Sequence, residues 1–137
     1  VPGKHTFSKD ERLKSSALIG RLFKEGHSFA AYPMRVVWLP LVPEAATPMS
    51  APVQIAFVAP KRTFKTSVTR NRVKRLMREA YRIHKPELYA LLHDSDRRVA
   101  LMLMCIAKEP PTFAETAAGI KKMIRKLTQN SQGTVSQ

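Results

Sequence analysis

The sequence predicts an α+β fold, a two-layer sandwich with element order α-β-β-β-α-β-α, in a single domain spanning residues 1–137. Runs rich in aromatic and β-branched residues lie at 28–41, 53–59 and 98–107, and stretches with apolar residues at helical spacing alternate with them. With 44% hydrophobic residues, the chain can bury one core of ordinary size. No internal repeat or change of composition calls for a second domain.

Ser8-Lys9-Asp10-Glu11 matches a capping box, and Ser15 and Ser16 offer a later start for a helix that runs to about Glu25 and stops at Gly26. Leu18 and Leu22 share one line of that helix, and Ile19 and Phe23 the next. One strip can therefore pack on a sheet while the other borders a groove. Phe29, Tyr32, Met34, Val36 and Trp38 then make one bent strand or two short ones, broken at Pro33 and ended by Pro40. Three prolines between Leu41 and Pro52 read as a long hairpin loop, and Val53 to Ala59 as the next strand.

After the basic connection Pro60 to Thr66, Ser67 or Thr69 can cap a helix whose faces differ sharply. At 100° per residue, Val73, Leu76, Met77, Ala80, Ile83 and His84 form one apolar stripe, while Lys74, Arg75, Arg78 and Arg82 gather on the other side. Pro86 limits this helix, with a turn or two to follow before a loop at His93 to Asp96. Arg98 to Ala107 is short, apolar and bounded by charge, which favours a central strand. Ala117, Ile120, Ile124 and Leu127 mark a last helix with Lys121, Lys122, Arg125 and Lys126 on its wet side. Residues 1–7 and 130–137 are expected to be flexible.

Charge narrows the function. The chain carries 24 Lys+Arg against 10 Asp+Glu, a net charge of +14. Ten of the basic residues lie between Lys61 and Lys85, with Glu79 the only acid among them. Solvated helix faces ordinarily mix signs, so this one predicts a polyanionic partner. No stretch approaches the roughly 18 apolar residues of a membrane span, and the N-terminus lacks signal-peptide patterning, so a cytoplasmic protein is expected. Cys105 lies in an apolar strand and reads as a buried structural thiol. A nuclease with its own two-metal site would need clustered carboxylates. The only close pair of aspartates is Asp94-x-Asp96, and His5, His27, His84 and His93 have no ligand spacing.

Arg12-Leu13, Leu22-Phe23 with Gly26, the strand Ile55 to Ala59 running into Pro60-Lys61-Arg62, and the segment Arg70 to Arg82 opened by Arg-Asn-Arg together resemble the bacterial ribonuclease P protein subunit, over nearly the whole chain. The resemblance implies a fold like the second domain of ribosomal protein S5, with a left-handed βαβ crossover against the usual preference. It implies that the RNA subunit is the catalyst, cutting the 5′ leader from precursor tRNA, while the protein binds the RNA subunit and the leader. It implies no catalytic or metal-binding residue in the protein, Mg²⁺ required by the RNA-containing holoenzyme, and a monomer when free. Arg70, Asn71, Arg72, Lys74, Arg75, Arg78 and Arg82 would then contact RNA, the guanidinium forks matching phosphate oxygens.

The same resemblance implies a leader cleft between the sheet and the first helix, lined by Ile19, Phe23, Arg35, Val37, Lys61 and Arg62. Apolar and aromatic groups would take bases and cations would take phosphates. Arg35 and Val37 face that cleft if Met34, Val36 and Trp38 point to the core. The chain departs from the family pattern in places. Ile19 stands where an aromatic is frequent, Ala56 and Pro60 where Gly and Ser are common, and one extra residue lies between Lys61-Arg62 and Arg70. The alternative reading is a ribosomal or general RNA-binding protein of the same fold.

Overall fold

The three apolar runs become four strands, because the chain turns at Tyr32-Pro33, joined by a cis peptide bond, and pairs with itself. The computed structural model describes residues 11–41, 52–95 and 98–132, the side chains of 93–95 and 129–132 excepted. Its elements are α1 (Ser16–Glu25), β1 (His27–Ala31), β2 (Met34–Leu41), β3 (Val53–Val58), α2 (Ser67–Ser95), β4 (Arg98–Cys105) and α3 (Phe113–Gln132). The strands form one mixed sheet in the order β1-β2-β4-β3. β1 with β2 and β2 with β4 are antiparallel, whereas β3 and β4 run parallel with α2 as the crossover between them.

That order corrects one expectation. β2 and β3 are not a hairpin, because β4 lies between them. The connecting residues 42–51 fall outside the described residues, as do Ser8 to Asp10 of the expected capping box and Asp96 of the acidic pair.

Alternation along the strands sorts the core onto two faces. Met34, Val36, Val53, Ile55, Val99, Leu101, Leu103 and Cys105 meet Val73, Met77, Ala80 and Tyr81 of α2 and Ile120, Met123, Ile124 and Leu127 of α3. On the other face Leu39, Ala100 and Met102 meet Leu13 and Leu22. The two-layer sandwich holds for the main core, and the ten residues of α1 add a partial third layer. α3 comes close to the β1–β2 turn only because Gly119 has no side chain: a Cβ there would sit 2.8 Å from the Tyr32 carbonyl oxygen and 2.9 Å from that of Ala31.

Several boundaries differ from the sequence reading, each for a local reason. Pro40 lies within β2 and does not end it. β1 stops opposite Trp38, so the strand is an edge from Leu39 onward and has no neighbour on that side to receive an N–H. α2 is capped by Thr66, whose Oγ1 accepts from Thr69 N–H at 3.2 Å, and not by Ser67 or Thr69. It also continues through Pro86 to Ser95, taking in His93 to Ser95 where a loop was expected. An internal proline costs about 3 kcal/mol, and burying Leu88 and Leu92 beyond it contributes about 1.5–3 kcal/mol each. The buried stripe of α2 rotates along its length: Ile83 is exposed, while Tyr81 and Lys85 are buried in its place. α3 stays helical to Gln132, past the expected fraying point at 130; residues 133–137 are outside the described set.

α1 follows its expectation closely. Ser15 caps it, accepting from Leu18 N–H at 3.2 Å, and Gly26 closes it. Gly26 has an extended conformation, so its role is close approach: a Cβ would fall 2.4 Å from the Leu22 carbonyl oxygen.

Candidate nucleic-acid interface

The cationic side of α2 is largely unneutralised. Arg72 and Arg75 are exposed and Lys74 is half-buried, and none of the three has an ion-pair partner among the described residues. Arg78 is exposed and places its guanidinium carbon 5.8 Å above the centre of the Phe57 ring, an arrangement that fixes the group without cancelling its charge. Asn71 is exposed.

The two ends of the set behave differently. Arg70 is half-buried and donates from Nη1 to the Phe64 carbonyl at 2.9 Å, closing the basic loop that precedes the helix. Arg82 pairs with Glu79 one turn back. That contact holds the Glu79 carboxyl below its usual range and raises the Arg82 guanidinium, so part of the positive charge of Arg82 is already spoken for.

The second predicted surface lies on the opposite face of the sheet. Pairing aligns Ser28, Val37, Met102 and Ala56 in one row, and Ala30, Arg35, Met104 and Val58 in the next. α1 covers the first row, where Ile19 and Val37 are half-buried around Leu22 and Met102. The second row is less covered: Arg35 is exposed, and Met104 and Val58 are half-buried. Phe23, 65% exposed, stands on α1 outside the buried cluster, which rejects core packing for its ring. The result is an apolar floor with one aromatic wall and a guanidinium. Lys61 and Arg62, both exposed, sit in the turn beyond the end of β3, and neither they nor Arg35 has an ion-pair partner among the described residues.

The predicted residues therefore form two groups and not one. The sheet separates the α2 cations from the Ile19, Phe23, Arg35 and Val37 group, and the turn carrying Lys61 and Arg62 joins β3 to α2. Met104 and Val58 were missed as floor residues, although alternation from Met102 and Ala56 would have found both. Arg12 was missed as a charge at the site. It forms a parallel bridge with Ile55 at the outer edge of β3, and with Arg78 it lines a pocket of about 340 Å³.

Among the described residues no cluster of three His, Cys, Asp or Glu side chains is arranged to hold a metal ion. Cys105 is buried, and burial pushes its thiol pKa up, which leaves it a poor nucleophile. No helix among the described residues is long and apolar enough to cross a membrane. The arrangement suits binding of a phosphate backbone on one face and of an unpaired strand on the other.

The chain is similar to known proteins. A family profile described as Ribonuclease P matches residues 7–130. The ribonuclease P protein component of Porphyromonas gingivalis is 34% identical over 129 residues, covering 94% of this chain and 91% of its own. That of Chlorobaculum tepidum is 30% identical over 128 residues, covering 89% and 82%. In three dimensions the RNase P protein of Staphylococcus aureus superposes with a TM-score of 0.63 at 18% identity, covering 85% of this chain and 94% of its own. A second structure of that protein gives 0.52 over 95% and 98%. At such identity the superposition speaks for the fold alone, and it extends to the mixed sheet with its flanking helices.

Proposed function

The chain belongs to the ribonuclease P protein family, and from that premise we propose how its two surfaces divide the work. It is the protein component of ribonuclease P and assists the catalytic RNA in removing the 5′ leader from precursor tRNA. The chain itself supplies no reacting group. It lowers repulsion between two polyanions and orients one against the other.

The α2 face, with Arg72, Lys74, Arg75 and Arg78 and the flanking Arg70, Asn71 and Arg82, takes the RNA subunit. The cleft of Ile19, Phe23, Arg35 and Val37, with Lys61 and Arg62 at its end, takes the single-stranded leader. The observation that carries this division is that Arg72, Lys74, Arg75 and Arg78 on α2 have no acid partner among the described residues, on the face opposite an exposed phenyl ring. A base can stack on Phe23 while backbone phosphates meet Arg35, Lys61 and Arg62. At Ile19 the contact is dispersive. The Mg²⁺ requirement is assigned to the RNA-containing holoenzyme, where cations on the protein reduce the charge that metal ions must screen. The free protein is assigned to the cytoplasm as a monomer.

The test is cleavage of precursor tRNA at low Mg²⁺ by protein alone, cognate RNA subunit alone, and both. Strong activity only in the mixture supports the reading. Cleavage by rigorously purified protein alone overturns it, and so does a folded cognate RNA that the protein fails to stimulate.

A further inference from the structure

At the outer edge of β3 two arginines from distant parts of the chain converge on one pocket. Arg12 comes from the segment before α1 and Arg78 from the middle of α2, and they share the lining with Leu13, Ile55, Ala56 and Phe57. Both side chains are exposed, and neither has an ion-pair partner among the described residues. Two like charges at one pocket repel unless an anion lies between them. The volume, about 340 Å³, is at the lower end of the roughly 300–1,000 Å³ of small-ligand sites and holds a phosphate with its sugar.

Each arginine stands on a support that is itself locked. Leu13 N–H donates to the Ile55 carbonyl at 3.0 Å, which adds the Arg12 segment to the sheet as a parallel stub. One residue earlier, Glu11 is buried and held by Lys85 at 2.6 Å and by the Tyr89 hydroxyl. On the other side Arg78 rests on Phe57, whose ring meets buried Tyr81 edge-on with centroids 6.0 Å apart. Glu11 is therefore a positioning residue. Its carboxylate is spent on α2, and the arginine next to it is left facing solvent at the sheet edge.

We propose that Arg12 and Arg78 form a two-guanidinium clamp for a single RNA phosphodiester, with Glu11, Lys85 and Tyr89 fixing Arg12 in place. The inference rests on the RNA-binding reading above and extends the α2 surface, through Arg78, to Arg12, which belongs to neither surface described there. Because the pocket opens at the β3 edge beside α2, the phosphodiester belongs to the RNA subunit. Arg is suited to the task, since its planar fork can give two parallel hydrogen bonds to one phosphate.

The test is a double-mutant cycle read against salt. Affinity of the protein for its cognate RNA subunit is measured from low to moderate salt for wild type, Arg12→Ala, Arg78→Ala and the double variant, with thermal midpoints to verify folding. Arg12→Gln serves as a second variant at the more structured position. Each single change is expected to weaken binding about five- to tenfold, and the double change by clearly less than the product. The log–log salt slope of the double variant should fall by roughly 0.7–0.9, the share of one phosphate. Wild-type behaviour in both Arg12 variants, or a product of losses with twice that change in slope, overturns the clamp. A parallel arm measures holoenzyme affinity for precursor with and without its leader; a loss confined to leader-bearing precursor, with RNA subunit affinity unchanged, overturns the proposal. If wild-type protein neither binds nor stimulates the RNA, the functional reading fails first, a result distinct from every outcome above.

Discussion

Lys85 Nζ lies 2.6 Å from Glu11 Oε2 across 74 residues of sequence, and the two side chains are only 5% and 6% exposed. A buried pair of this kind does not by itself add much stability, because two charges are desolvated to make it. Breaking it is another matter. Lys85→Met leaves the Glu11 carboxylate buried without its cation and is expected to cost about 3–5 kcal/mol. Converting Glu11 to Leu in the same chain should recover most of the loss. Urea denaturation of the single and double variants measures both, and equal stability of Lys85→Met and wild type would refute the account.

Glu79 occupies the one acidic position on the cationic face and holds Arg82 in an exposed pair. Glu79→Gln should therefore tighten binding to the RNA subunit and steepen the salt dependence by up to about one phosphate equivalent. The pH sign follows from the same contact. The Glu79 carboxyl is held below its usual range, so the pair persists through neutral pH and is lost as pH falls through the lowered value. The gain from Glu79→Gln should then shrink toward that acid limit. Affinities compared at neutral pH and at a pH below the ordinary carboxylate range read it out.

Arg72→Ala and Arg75→Ala should each weaken assembly with the RNA subunit while leaving the fold intact, since both side chains project into solvent. For about six neutralised phosphates the wild-type slope of log affinity against log salt is expected near −4 to −5. Filter binding across a salt series checks both statements, and undiminished assembly in the two variants would remove α2 from the interface.

Phe23 and Leu22 are neighbours with opposite exposure, 65% and 1%, and this separates binding from folding. Phe23→Ala should change stability by less than about 0.5 kcal/mol yet reduce the preference of the holoenzyme for precursor over mature tRNA. Leu22→Ala should cost about 2–5 kcal/mol through the cavity it leaves. Thermal melts together with competition between the two RNAs test the pair.

Thr66→Ala should cost about 1 kcal/mol by removing the acceptor for Thr69 N–H. The loss should appear first as fraying of the turn that carries Arg70. Amide exchange at residues 69–71 measures it.

Much of this molecule was legible along the chain because the signals are local. Met34, Val36 and Trp38 turn one way and Arg35 and Val37 the other because a strand alternates whatever lies beside it. The cationic face of α2 is visible for the same reason. Other features depend on partners far away in sequence. Nothing local to Val53 or Leu41 shows that β4 will lie between their strands. Pro86 reads as a stop until Leu88 and Leu92 are known to have a core to enter. Glu11 reads as a capping acid until Lys85 is folded against it, and Arg12 has no visible role until β3 gives it an edge.

The position of β4 also bears on how the chain is made. β1 and β2 are adjacent in sequence and can pair as soon as both have left the ribosome. β3 cannot, for its only partner among the described strands, aside from the Arg12 bridge, is β4, and the whole of α2 is synthesised in between. A nascent chain that has completed the arginine-rich helix therefore still lacks the middle of its sheet, with the apolar side of that helix uncovered and its cationic side already attractive to any nearby RNA. High contact order of this kind slows folding and prolongs the aggregation-prone interval. Full RNA-binding competence waits on Arg98 to Cys105, eight residues that back the cationic helix on one face and supply Met104 to the cleft floor on the other.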